Sequence, residues 1–196
     1  VDESEVRKIL SPLLDKCYTE FEQYLLMTSS SGPKKAIEFE RMLIELFKQK
    51  FKFLCTHTGQ LRRKKQGHNY SDILVVDENK NNAIIVDAKA IKEFSLPISD
   101  QDKMDAYINS FEELNDKFYK ENKLDLFLCL FVAHTLKNTF HARAKIFSDE
   151  IGDIHCSGID IIELIELSKK KNIGLRQNEL ISKLKISGTI NSQLIN

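Results

Sequence analysis

Ser71-Asp72-Ile73-Leu74-Val75-Val76-Asp77-Glu78-Asn79-Lys80-Asn81-Asn82-Ala83-Ile84-Ile85-Val86-Asp87-Ala88-Lys89 is the stretch on which the fold turns. Ile73–Val76 and Ala83–Val86 are short apolar runs of strand composition, and the polar segment Asp77–Asn82 between them reads as a turn. Two such runs joined by a short polar turn predict a β-hairpin. With the turn near Asn79, antiparallel pairing sets the start of the first strand beside the end of the second. Asp72 then stands next to Asp87. Asp87 and Lys89, two apart in a strand, share one face.

Outward from the hairpin the chain is mostly helical. On the N-terminal side, Glu3 to Met27 has apolar residues at threes and fours and reads as helix, interrupted at Pro12. Thr28 to Pro33 is a loop, and Lys34 to about Lys50 a second helix. Cys55 to Tyr70 is polar and rich in basic residues. On the C-terminal side, Asp100 to Lys120 reads as helix. Leu124 to Val132 is nearly continuous apolar, as in a strand buried on both faces. Thr139 to Glu150 is an amphipathic helix, Ser157–Asp160 a brief strand, and a helix follows through Lys171. Glu179 to Ile186 is a last short helix. This order predicts an α/β layer fold, a central mixed β-sheet flanked by helices. Residues 1–196 read as a single domain, with 1–33 an N-terminal helical segment and loop and 34–196 the core that carries the chemistry.

Composition narrows the function classes. The chain has 196 residues, 42% hydrophobic and 30% charged, which excludes wholesale disorder. Lys+Arg is 29 and Asp+Glu is 29, so the chain is not a uniformly basic coat for nucleic acid, although a local basic patch remains open. No apolar run is long enough to span a membrane. The acidic start, Val1 to Arg7, has no initiator Met and no apolar signal core, and is read as a fragment boundary, not a targeting signal. Cys17, Cys55, Cys129 and Cys156 are spaced too widely for a zinc module and read as free thiols of a reducing cytoplasm. None of the five histidines (His57, His68, His134, His141, His155) is paired at metal-ligand spacing.

The chemistry follows from the hairpin. A carboxylate and a lysine at the end of an apolar run are partly desolvated, which costs energy unless they are paired or bound to a cation. Asp72, Asp87 and the backbone carbonyl of Ala88 form an oxygen set suited to Mg²⁺, with Mn²⁺ as a substitute. Lys89 then stands where it holds or deprotonates an attacking water, next to a cation that lowers that water's pKa. Glu38 and Glu40 on the preceding helix offer one further carboxylate. The run Arg62-Arg63-Lys64-Lys65 just before Asp72 is a candidate phosphate contact. His57 flanks it. Taken alone, the spacing Asp-x(14)-Asp-x-Lys is weak, and a solvated surface hairpin satisfies it equally well.

Short matches in order along nearly the whole chain add a family resemblance. Phe39-Glu40-Arg41-Met42-Leu43-Ile44-Glu45-Leu46-Phe47, Thr56-His57-Thr58-Gly59 and Ile84-Ile85-Val86-Asp87-Ala88-Lys89-Ala90 are three of them. Ser95-Leu96-Pro97-Ile98 followed by Asp102-Lys103-Met104 and Tyr107 is a fourth. Phe131-Val132 followed by Lys137-Asn138 and Phe140 is a fifth. In these the chain resembles the cleavage domain of FokI-type type IIS restriction endonucleases, a restriction-endonuclease-like (PD-(D/E)xK) core. The resemblance implies Asp72, Asp87 and Lys89 as catalytic residues, Mg²⁺ as cofactor and double-stranded DNA as substrate, cut to leave a 5′-phosphate. With DNA as substrate, the candidate phosphate contacts at Arg62, Arg63, Lys64 and Lys65 become DNA contacts in a loop that departs from the family's, with His57 beside them and Lys137 in the fifth match. The resemblance further implies cleavage without sequence specificity, in the bacterial cytoplasm, by the C-terminal part of a larger enzyme whose recognition domain finds the site. Family members pair through a helix bearing an Asp and, four residues on, an Arg. Asp102 matches the Asp, Ala106 replaces the Arg, and Lys103 is the candidate substitute. A transient homodimer, a partner nuclease subunit or single-strand nicking are therefore all open. So are two readings outside the type IIS class, a resolvase or repair nuclease and an inactive DNA- or partner-binding relative. Ser71 stands where the family has Pro, and Gly59-Gln60-Leu61-Arg62-Arg63 replaces its Gly-Gly-Ser-Arg-Lys approach with extra residues.

Overall fold

The computed structural model describes residues 18–59, 61, 70–172 and 177–191. Expectations on Glu3–Cys17 and on Arg62–Lys65 lie outside the described residues. Thr19 opens the first helix, α1 (Glu20–Ser29). Its hydroxyl accepts from Glu22 N–H while the Glu22 carboxylate accepts from Thr19 N–H, a reciprocal cap spelled by Thr-x-x-Glu in the sequence. A short 3₁₀ turn at Pro33–Lys35 leads into α2 (Ala36–Gln49), which buries Phe39, Leu43, Leu46 and Phe47 along one stripe.

The predicted hairpin forms. Strands β2 (Ile73–Val76) and β3 (Asn82–Lys89) pair antiparallel with Ile73 opposite Val86 and Val76 opposite Ala83. Before them, β1 (Leu54–Thr56) pairs antiparallel with β2. On the other edge of β3 the sheet becomes parallel through β4 (Asp125–Ala133), β5 (His155–Asp160) and β6 (Gly188–Ile190). The sheet runs β1-β2-β3-β4-β5-β6, mixed and flanked by helices as expected. The helices after β3 are α3 (Ile98–Asn109) and α4 (Phe111–Phe118), followed by α5 (Thr139–Ile151), α6 (Ile161–Asn172) and α7 (Gln177–Leu184).

Two details correct the sequence reading. The helix expected over Asp100–Lys120 is two helices. Ser110 ends the first one, its hydroxyl and amide both turned back onto the Ala106 carbonyl. Strands β1 and β6 were not anticipated, because three residues are too few to show a period of two.

Each face of the sheet carries its own core. Ile73, Val75, Ile84, Val86 and Ala88 face α2, α6 and α7 with Leu43, Leu164 and Leu180. Leu74, Val76, Ala83, Ile85, Cys129 and Phe131 face the other way, with Met104, Tyr107, Leu114 and Phe140 of α3, α4 and α5. Gly158 on β5 leaves the space into which the Phe140 ring packs, and a Cβ there would lie 2.4 Å from it. Alternation along β3 therefore puts Asp87 and Lys89 on the α3–α5 side, past the last apolar residue of that face. Among the described residues, no helix is long and apolar enough to cross a membrane. Cys129 and Cys156 are buried and free, and Cys55 is half-buried and free.

Candidate active site

The hairpin brings its two terminal carboxylates together. Asp72 N–H donates to Val86 O at 3.1 Å, which extends the β2–β3 ladder one step and sets Asp72 beside Asp87. Asp72 Oδ2 accepts from Ala88 N–H at 2.9 Å. The N–H and C=O of one strand residue project to the same side, so the Ala88 carbonyl also faces Asp72. Asp72 and Asp87 are 8% and 4% exposed, and Asp87 Oδ2 is buried with no hydrogen bond. Lys89 Nζ lies 2.7 Å from that oxygen, a close ionic contact without hydrogen-bond direction.

The charges follow from this crowding. Burial raises the Asp72 carboxyl most. The neighbouring Asp87 charge, a hydrogen bond to Asp87 and the charge of Glu40 add to it, and the Ala88 amide opposes it, leaving a value of about 8. Burial alone would push the Lys89 ammonium down. Asp87 and Asp100 outweigh it and hold the ammonium above its ordinary value. Lys89 is thus a charged ammonium held between two carboxylates, 2.7 Å from Asp87 and 2.6 Å from Asp100 Oδ1, with the Phe94 and Phe131 rings at 5.4 and 5.9 Å.

The oxygen set fits a hard divalent cation. Two buried carboxylates share one small space, one of their oxygens has no hydrogen bond, and an adjacent backbone carbonyl faces them. Among the described residues no group of three His, Cys, Asp or Glu side chains could hold a metal ion, so any cation held by this oxygen set would need water or substrate oxygens to complete its sphere.

A family model described as FokI, cleavage domain, matches residues 1–191. The chain belongs to the FokI cleavage-domain family. Solved structures similar to it include the restriction endonuclease FokI, at 19% identity and a TM-score of 0.70 over 97% of this chain and 34% of that one. FokI bound to DNA is similar at 20% identity, with the same TM-score and coverage. At these identities the likeness gives the fold, restriction-endonuclease-like as the sequence suggested, and the chain spans about a third of each structure's length. No curated protein matches.

Within this FokI-type domain the predicted residues divide into two groups. Asp72, Asp87, Ala88 and Lys89 come together. Of the two candidate glutamates on α2, it is Glu40 whose charge bears on Asp72, while Glu38 pairs with Lys35. Glu40 is itself tied to His57, Oε2 to Nε2 at 2.5 Å, so His57 is turned inward to the carboxylates' side and not out to solvent. The other described residues stand apart, and Arg62–Lys65 lie outside the described residues. Lys137 lies on the wall of an open cleft of about 500 Å³ with Thr135, Asn138 and Glu93. Its 3.5 Å contact with Glu93 is half-exposed and worth little, so the ammonium stays available to a ligand. Asp102 and Lys103 are exposed on α3, Ala106 is half-buried there, and Lys103 leans 3.4 Å toward Asp100.

Two residues have a part in the site that the sequence reading did not give them. Asp100 was read only as the start of a helix, though the Pro-x-x-Asp spelling of Pro97–Asp100 marks an acidic first turn. Gly59 is the other. Its N–H donates to Asp72 O at 2.9 Å, and a Cβ there would meet Asp72 Cα at 3.2 Å, so glycine permits the close approach. Next to it Thr58 Oγ1 donates to Ser71 O at 2.6 Å.

Proposed function

We propose that this chain is the DNA-cleaving domain of a type IIS restriction enzyme. It hydrolyses phosphodiester bonds of double-stranded DNA with Mg²⁺, or Mn²⁺ in its place, and leaves a 5′-phosphate. It reads no sequence of its own and is delivered by a recognition domain elsewhere in the parent chain, in the bacterial cytoplasm. One observation carries the reading: in a chain of the FokI cleavage-domain family, two buried carboxylates meet across a hairpin with an ammonium 2.7 Å from one of them.

Asp72, Asp87 and the Ala88 carbonyl would hold the cation. Bound there, it would neutralise the two carboxylates and lower the pKa of a bound water. Lys89 has three donors and, as an ammonium, no lone pair to take a proton. It therefore orients the attacking water or steadies a phosphate oxygen as charge develops there. This supports holding over deprotonating as its role. Glu40, tied to His57, keeps a third negative charge near Asp72 without crowding the pair. Arg62, Arg63, Lys64, Lys65 and Lys137 supply backbone-phosphate contacts, which set position and not sequence.

Double-strand cleavage needs two copies, and Ala106 removes the arginine that family members use for pairing. The domain therefore pairs transiently through α3, with Lys103 in place of that arginine. The test is plasmid cleavage with Mg²⁺ at rising protein concentration, with Asp87→Ala alongside. Linear product rising steeply with concentration is expected. Nicked circles in proportion to concentration would replace the dimer with a monomeric nicker. No cleavage, even when the domain is tethered to a DNA-binding module, would make it an inactive relative. Full activity in Asp87→Ala would remove the site assignment.

A further inference from the structure

The ammonium of Lys89 has two carboxylates to choose between, and only one of them belongs to the proposed cation site. Asp87 is two residues before it on β3. Asp100 arrives from the first turn of α3, where the helix N-terminus favours a carboxylate. It is 9% exposed, and the segment that delivers it is fixed before any ligand arrives. Leu96, fully buried, takes a left-handed φ of 56°, and its carbonyl accepts from Gln101 Nε2 at 3.2 Å and Arg143 Nη1 at 3.3 Å. The Phe94 and Phe131 rings beside Lys89 leave the ammonium little freedom beyond the line between the two carboxylates.

A cation on Asp87 and an ammonium on the same oxygen compete. Lys89 Nζ lies 2.7 Å from Asp87 Oδ2, the oxygen without a hydrogen bond. Resting on the reading of Asp72 and Asp87 as a cation site, we propose that Asp100 is a positioning residue that draws Lys89 off Asp87 and so opens that oxygen to the cation. Asp100 does not ligate the cation. It acts through the lysine, giving the ammonium a second anion to rest on when the first is taken.

The test is Mn²⁺ binding to the DNA-free chain, followed by the loss of the free-ion electron paramagnetic resonance signal, with circular dichroism to check that each variant is folded. Wild type should bind and Asp87→Ala should not, which establishes the site independently of Asp100. If Asp87→Ala binds as wild type does, or neither binds, the site reading fails and this inference with it. Given the site, Asp100→Asn should weaken Mn²⁺ binding about tenfold, in the range found for residues that orient a metal site without ligating. Asp100→Glu, which keeps the anion, should recover most of the loss. Lys89→Met should tighten binding. On the Lys89→Met background, Asp100→Asn should change the affinity less than about twofold, since the group it acts through is gone. An equal loss on both backgrounds would mean that Asp100 acts by its own charge or as a ligand, and would overturn the proposal. Unchanged binding in folded Asp100→Asn would overturn it too.

Discussion

The same hairpin buries aspartates at both ends and treats them in opposite ways. At the turn, Asp77 is 1% exposed. Its oxygens accept from Asn81 N–H at 2.7 Å, Asn82 N–H at 3.1 Å and Asn82 Nδ2 at 2.8 Å. At the open end, Asp87 is 4% exposed and its Oδ2 has no hydrogen bond, only the Lys89 ammonium at 2.7 Å, beside a second carboxyl that burial and repulsion push toward neutrality. Burial is nearly equal, and satisfaction is what differs. A buried carboxylate with three donors closes a turn. A buried carboxylate whose only partner at one oxygen is an ammonium, next to another of its kind, is one whose charge an added cation would relieve.

Four experiments test this contrast. The largest effect is expected at the open end. Asp87→Ala should lower plasmid cleavage by about a thousandfold or more, the scale of losing metal-assisted and proton-transfer catalysis together. It should leave urea stability unchanged or slightly raised, because Lys89 keeps Asp100 and Asp72 loses a repulsive neighbour. Marked destabilisation would mean that Asp87 belongs to the frame. At the turn the expectation is the reverse. Asp77→Ala should cost about 1–3 kcal/mol in urea unfolding, for amides left without their acceptor, while the folded molecule cuts as before.

The third experiment is pH. In the metal-free chain the Asp72 carboxyl is raised from 3.8 to about 8. The folded state therefore binds a proton that the unfolded state has released across that window. The resulting stability is full below the unfolded value and is lost as pH rises through the folded one. Urea unfolding in EDTA should show wild type losing stability relative to Asp72→Asn as pH climbs through this window. Parallel curves would deny the raised carboxyl. The smallest effect concerns the basic run, where Lys64→Ala with Lys65→Ala should reduce the salt slope of DNA binding by about two. An unchanged slope would take the run out of the phosphate contacts.

Much of this architecture is legible from residues alone, and the reasons are physical. The hairpin shows because two apolar runs flank a turn rich in Asn, and β4 shows because a strand buried on both faces is apolar throughout. Asp72, Asp87 and Lys89 are legible because strand pairing and a period of two fix where they point. What stayed hidden depends on distance in the chain. Asp100 reaches Lys89 only through the turn at Leu96, a left-handed non-glycine residue that sequence patterns do not announce. His57 reads as a polar loop residue until α2 and the segment after β1 bring it to Glu40. The break at Ser110 does not show in the sequence because a serine turning its hydroxyl back onto the helix reads there as an ordinary helix residue.

The clasp at Thr58 and Gly59 has a consequence for how such a domain can change. Thr58 Oγ1 donates to Ser71 O and Gly59 N–H to Asp72 O, so the chain leaving residue 59 and the chain arriving at residue 70 are pinned side by side as a neck. Lengthening a loop whose ends are already pinned costs little, roughly 0.6 kcal/mol for each doubling. The neck thus works as a socket. Segments of different length and composition can be exchanged between these pinned ends while the two carboxylates behind them stay in register, so the proposed phosphate contacts could diversify without disturbing the proposed cation site.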